Sequence, residues 1–484
     1  MGITVQGVRN NKANHSFLFL LFICVVLGTT VAFIYFQNPT VYILPIGLLL
    51  LAYVYDDLSR LFYLLCIVLP FSMEYYFDAV GLGTDLPSEP LMIVLAGCTL
   101  LLLVYKQFEL PKSYITHPIW LLLIFQVFWI LITTISSTVP VISIKFLLAK
   151  LWYLLSFFIF PLLFAKHFWD IIKAYKYVSI IVFISILVVL VRHAFAGFTF
   201  AASYDVVRPF FRNHVTYAAI SVICLPFVWA FYKTSVRKNG FSNLWIVIFI
   251  FVIGIYFSFT RAAILSIFIA IGAWYIIEKR WMKHALILSS ITLIIGITYL
   301  AWNNNYMDLA PNYEKTITHT EFDHLIEATY KLQDISSMER VYRWMAGAEM
   351  IKDKFWMGFG PGTFVSNYKN YSISRFQTYV SDNPEQSGIH NYFLMMWTDQ
   401  GFIGFLLFLI LCFVILLQGE KVYFKNTDSE RKYFIMATLL STIIIMAMSL
   451  INDLLETDKV GPFFFLNCAL IILFDKTTDR KDAT

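Results

Sequence analysis

Arg340 and Arg343 stand three residues apart in Arg340-Val341-Tyr342-Arg343-Trp344, a segment read as a helix from Ser336 to Asp353. Ser336 with Glu339 has the form of a capping box, and Val341, Met345 and Ala348 make one face. Arg340, Arg343, Trp344 and Gly347 gather on another face, where two guanidinium forks one turn apart can grip a phosphate or diphosphate. The plainer reading of the same pattern is a solvated helix face. His390-Asn391 opens the next apolar run. An imidazole there can exchange a proton near neutral pH, although a lone His at a helix start is also a common cap. Arg261 lies between two apolar runs, in Phe257-Ser258-Phe259-Thr260-Arg261-Ala262-Ala263. A buried Arg costs at least about 2.5–3.5 kcal/mol at a helix centre, so Arg261 belongs at a helix end or in a polar cavity, either snorkelling or binding an anion. Lys145 and Lys150 carry the same two alternatives. Gly358-Phe359-Gly360-Pro361-Gly362 has no preceding strand and no following Lys-Ser/Thr, so it is a chain-redirecting turn that can bring backbone close to a ligand. The sequence contains no HExxH, GxSxG or DxD-like pair, which argues against zinc proteases, serine hydrolases and sugar-nucleotide transferases.

The elements that must hold these residues are membrane helices. Of 484 residues 59% are hydrophobic and 14% charged, against about 25% charged in a soluble domain. No separate basic region suggests nucleic acid. The six cysteines all lie in apolar runs without ligand spacing, which suggests neither a metal site nor a disulfide framework. Runs long enough to span fall at about 16–36, 40–55, 61–77, 89–105, 118–138, 141–165, 177–191, 215–232, 244–260, 262–277, 285–301, 391–417, 433–451 and 461–474. The pair 244–277 can also be read as one long broken helix. The first run is too long for a signal-peptide core and is read as a membrane helix. The expected fold is all-α and polytopic, with about 12–14 transmembrane helices and one large, partly helical extracytoplasmic loop. Residues 1–301 would carry helices 1–11, 302–389 the loop with an amphipathic helix at about 337–353, and 390–484 the C-terminal helices, in one membrane domain.

Loop charge supports this count. Alternate loops are rich in Lys and Arg, and those between them are acidic, as in 78–89 and 452–458. The cationic set is assigned to the cytoplasm, with both termini inside. Two outer loops nevertheless keep arginine: 192–214, with Arg192, Arg208 and Arg212, and 302–390, with eight Lys/Arg against eleven Asp/Glu. Cations kept outside against the usual bias point to particular arginines binding an anion, since the long loop has no general positive field.

Taken in order, Thr260-Arg261-Ala262, Arg340-Val341-Tyr342-Arg343-Trp344, Gly358-Phe359-Gly360-Pro361-Gly362, His390-Asn391 and Gly401-Phe402-Ile403-Gly404 resemble the O-antigen ligase and polymerase superfamily of bacterial envelopes. The resemblance covers about 257–405. Thr260 and Ala262 depart from the family's Ser and Gly around that arginine. It implies a multi-pass protein of the bacterial inner membrane, with its active loop periplasmic. The reaction implied is a metal-independent glycosyl transfer without cofactor, inverting the anomeric centre, from a polyprenyl-diphosphate-linked glycan to a lipid or glycan acceptor. On that reading Arg261 and Arg340 bind the donor diphosphate and His390 is the base or orients the acceptor. Arg343, Arg212, Asn391, Trp344, Lys145 and Lys150 line the substrate site. The sequence leaves ligase and polymerase undivided. A lipid-linked glycan flippase is the reading from another class, although no inverted repeat supports it.

Overall fold

A bilayer leaves no water to satisfy peptide groups, so long apolar runs close their hydrogen bonds within helices. The structure, a computed structural model, describes residues 57–77, 82–105, 110–309, 335–373 and 387–479, together with 47 and 54. The expected spans 16–36 and 40–55 lie outside these residues. The chain divides into two units, residues 1–64 and 65–484.

In chain order the helices of ten residues or more are α1 (Ser59–Val68), α2 (Ser88–Val104), α3 (Pro118–Ile135), α4 (Pro140–Phe164), α5 (Phe168–Phe195), α6 (His214–Asn239), α7 (Leu244–Tyr256), α8 (Arg261–Glu278), α9 (Met282–Ala301), α10 (Ile335–Asp353), α11 (Tyr392–Lys425), α12 (Ser429–Ser449) and α13 (Gly461–Asp479). Eight of them, α3 to α6, α8, α9, α11 and α12, are long and apolar enough to cross a membrane. The protein is therefore an all-α, polytopic membrane protein. Residues 244–278 form two helices, α7 and α8, separated at Phe257–Thr260, where Phe259 takes a positive φ of 52°.

Helix ends follow local chemistry. Asn213 caps α6 by accepting from the Thr216 N–H at 2.9 Å, and Asp428 caps α12 by accepting from Glu430 N–H at 3.1 Å. α6 stops at Gly240, whose φ of 73° suits a residue without a β-carbon. In α4 the turn Leu155–Ile159 widens to π geometry just before Pro161, whose missing N–H cannot close an ordinary α-turn.

The span expected at 61–77 is corrected. The helical path ends at Phe71, and Met73–Phe77 pairs antiparallel with Leu82–Leu86 as a two-stranded hairpin, β1 and β2. Aromatic Tyr75, Tyr76 and Phe77 favour extended backbone, and Pro70 discourages further helix.

Polar contacts in residues 65–484 collect in two layers. At one end, the loop end, Thr138 N–H donates to Phe359 O at 2.8 Å and Ser88 Oγ to Asp458 Oδ2 at 2.7 Å. Buried Lys459 donates there to Ser72 O at 2.6 Å and Phe210 O at 2.5 Å. At the other end Lys238 pairs with Glu430 at 2.8 Å, Lys425 with Asp475 at 3.6 Å, and Tyr423 Oη donates to Glu278 at 2.5 Å. Within residues 65–484, the described loops read from the sequence as outer meet at the first end, and those read as inner meet at the second.

Candidate active site

The loop end holds α10 against α11. Gly347 makes the approach possible, because a β-carbon there would come within 2.6 Å of Ile389 Cδ1 and 3.3 Å of Thr398 Cγ2. The buried residues of α10 are Val341, Tyr342, Arg343, Ala346, Gly347 and Met350, whereas Arg340, Trp344, Met345 and Ala348 are half-buried. Of the expected apolar face only Val341 is buried, and the inward face is shifted toward Arg343 and Gly347. The small residues on the arginine side permit closer contact, and they take Arg343 inside with them. Arg343 is 3% exposed, so it is no solvated surface group, and its guanidinium hydrogen-bonds the Tyr368 hydroxyl. The capping box expected at Ser336 rests on a side chain outside the described ones.

His390 sits where the chain turns into α11. Asn391 caps that helix, its Oδ1 accepting from Leu394 N–H at 3.0 Å, and the Trp344 indole donates to the carbonyl of Ile389 at 3.1 Å. Between these two anchors His390 is held at φ 54°, a left-handed conformation that a non-glycine residue seldom adopts. Its Nε2 lies 2.8 Å from Ser387 Oγ, and its Nδ1 lies 3.8 Å from Asp453 Oδ1. The second distance is too long for a hydrogen bond. Burial first, and then the guanidiniums of Arg340 and Arg343, push the imidazole down to about 3. Burial raises the Asp453 carboxyl above its usual range, against the opposing pull of the same two arginines. The group is thus a neutral imidazole, a carboxyl and two guanidiniums at the membrane boundary. It can accept a proton and at the same time neutralise an anionic leaving group.

Arg261 is the first residue of α8. The Thr260 hydroxyl donates to His214 O at 3.4 Å, which sets the start of α8 beside the start of α6. α8 packs on α12, and α12 runs at the loop end into the segment that carries Asp453. Arg212 pairs with Glu74 of the hairpin at 3.3 Å and is three-quarters exposed. Lys145 is exposed on α4. Lys150 is buried and its charge is already answered: Nζ lies 2.6 Å from Glu456 Oε1 and donates to Tyr392 Oη at 3.1 Å. The structure therefore brings His390, Asn391, Arg340, Arg343 and Trp344 together. It places Arg261 at the same end, and gives Arg212 and Lys150 acidic partners elsewhere.

The glycine turn approaches protein, not open space. Phe359 N–H donates to Thr398 O at 2.9 Å, Gly360 N–H to Asp399 O at 2.8 Å, and Gly362 N–H to the Asp399 carboxylate at 2.8 Å. These contacts meet α11 where it breaks at Gly401, φ 70° and ψ −175°. A β-carbon at Gly401 would collide with the carbonyl of Trp356, and one at Gly360 with Ser137. The turn is a clasp that fixes the break in α11 about three helical turns beyond His390.

Asp453, Ser387, Glu456 and Asp399 did not emerge as site residues from the sequence. Asp453 had one signal, an acid directly after an apolar run, but nothing in its spacing ties it to His390, 63 positions earlier.

Residues 246–409 match the family profile described as O-antigen ligase. The match spans α8, α10, the glycine turn, His390 and the break in α11, whereas Asp453, Glu456, Lys150 and Arg212 lie outside it. A search of the curated proteins finds no match.

Proposed function

We propose that this membrane protein, with its O-antigen ligase domain, transfers a glycan from a polyprenyl-diphosphate carrier to an acceptor hydroxyl at the periplasmic face of a bacterial inner membrane. The observation that carries the reading is His390, held in a left-handed conformation between Ser387, Asp453 and the Arg340/Arg343 pair. A neutral imidazole beside two fixed cations suits one concerted displacement. The acceptor oxygen forms the new bond to the anomeric carbon while the bond to the diphosphate oxygen breaks, and the anomeric centre inverts. The hydroxyl proton goes to His390, and the diphosphate leaves with both bonding electrons. Arg340 and Arg343 stabilise the charge that develops on it, with Arg261 as a further cation at the same end. Preorganised donors of this kind are each worth roughly 3–4 kcal/mol in the transition state, so the reaction is proposed to need no metal. Asp453 is a positioning residue: it favours the tautomer with the proton on Nδ1, and leaves Nε2 as the base. The carrier's tail lies among the membrane helices, while Trp and Tyr side chains of the loop stack on sugars.

Both acceptor classes, a lipid-anchored core glycan for a ligase and a second lipid-linked repeat for a polymerase, fit this chemistry. The test is transfer by purified, reconstituted protein from a polyprenyl-diphosphate oligosaccharide to each acceptor, in EDTA. Transfer that survives chelation and fails in His390→Ala and Arg340→Ala is the expected result, and the acceptor that works names the reaction. Labelled donor crossing the bilayer with no acceptor glycosylated would overturn the reading in favour of a flippase.

A further inference from the structure

A groove lies at the end of the helices opposite the loop end. It has a volume of about 570 Å³ and is formed by α5, α6, α7 and the start of α12. Its wall is apolar, with Ile172, Phe183, Val228 and Phe231, and its mouth carries Lys173, Lys176 and Lys238. Lys173 and Lys176 are exposed on the same helix as Ile172 and Phe183. Glu430 also lines the groove and pairs with Lys238 at 2.8 Å, which leaves an excess of positive charge at the mouth.

One hydroxyl at the groove marks it as more than a lipid-facing crevice. Thr234 lines it and its hydroxyl lacks a partner among the described residues, whereas the buried Ser179 hydroxyl hydrogen-bonds the Cys224 side chain. A buried hydroxyl without a partner costs about 1–3 kcal/mol, a cost that a ligand with oxygen acceptors removes.

We propose that this groove is a binding site for an anionic phospholipid. One acyl chain lies along Phe183 and Phe231, a glycerol ester oxygen accepts from Thr234, and the phosphate meets Lys173, Lys176 and Lys238. A free phosphate has no use for the apolar wall, and a neutral lipid has none for three lysines. The site lies across the bundle from His390, so it does not depend on the transfer reaction.

The experiment is native mass spectrometry of the purified full chain, titrated in detergent with phosphatidylglycerol, phosphatidylcholine or inorganic phosphate. One phosphatidylglycerol should be retained per chain. Near a membrane surface each lysine contributes on the order of fivefold, so Lys173→Gln/Lys176→Gln should weaken retention about 10- to 30-fold. Ile180→Trp lies on the same lining, at a position 46% exposed, and should block the chain while leaving the lysines intact. Equal retention of phosphatidylcholine, displacement of the lipid by inorganic phosphate, or undiminished binding in either variant would each overturn the proposal. If the double lysine variant fails to fold, Ile180→Trp alone decides.

Discussion

His390 lies just before α11 and Asp453 just after α12, yet they face each other across 3.8 Å because Gly388 lets the backbone pass against the Asp453 carboxylate. A β-carbon at 388 would collide with Asp453 Oδ2. The relation between imidazole and carboxylate is therefore set by a glycine two residues before the histidine.

Removing the proposed base should cost more than removing its partner. General-base side chains contribute roughly 10²- to 10⁴-fold; His390→Ala should lose a factor in that range in kcat with normal membrane insertion. Asp453→Asn should fall short of that loss, because it removes orientation but leaves the base. Gly388→Ala should resemble Asp453→Asn. Steady-state transfer rates, with donor binding measured separately, check this; a fully active Asp453→Asn would remove Asp453 from the site.

The acid limb of kcat/KM should lie well below the ordinary histidine range. Burial and two guanidiniums hold His390 down to about 3, so the ring stays neutral and able to accept a proton as the pH falls through 6 and 5. Arg343→Gln or Arg340→Gln removes one of those charges and should move the limb upward, toward 6.5. The stability sign follows from the same shift. Between about 3 and 6.5 the unfolded chain binds a proton that the folded chain does not, so His390 makes the fold less stable as the pH falls through this window. A pH–rate profile with its limb at 6.5 in the wild type would contradict the assignment.

Lys150 offers a choice between a structural and a substrate role. Truncating one member of a buried ion pair costs about 3–5 kcal/mol, and Lys150→Met strands Glu456 in this way. The double variant Lys150→Met/Glu456→Met should recover most of the lost thermal stability in detergent. If the lysine only braces the fold, transfer activity should return with it. Restored stability without activity would instead make Lys150 a substrate ligand.

The clasp between the glycine turn and α11 should be unforgiving. Gly360 holds a φ of 112° and Gly401 a φ of 70°, and a β-carbon at either meets neighbouring protein. Strained backbone alone costs on the order of 1–3 kcal/mol per residue, so Gly360→Ala and Gly401→Ala should lower the melting temperature and reduce transfer together. Conserved stability with lost activity would mean that the turn touches substrate.

Sequence alone determined which segments are helical from α2 onward, because a run of about 20 apolar residues in lipid has no other way to satisfy its peptide groups. Alternating loop charge sorted the loops into two sets, and the structure gathers the described ones at opposite ends. Arg340, Arg343 and His390 were legible as well, since each is a charged or titratable group beside an apolar run that gains nothing from it. Tertiary structure decided what those residues touch. Side-chain period on α10 favoured the face of Val341, Met345 and Ala348; close approach to α11 at Gly347 turned the buried face toward Arg343, with only Val341 of the first set inside. Lys150 read as a possible anion ligand until Glu456, 306 positions later, was seen to hold it. Asp453 became a neighbour of His390 only through the packing of α11 and α12. Local pattern records what a residue can do along its own helix, whereas partners supplied by another helix depend on how the two pack, and no spacing in one strand of sequence encodes that distance.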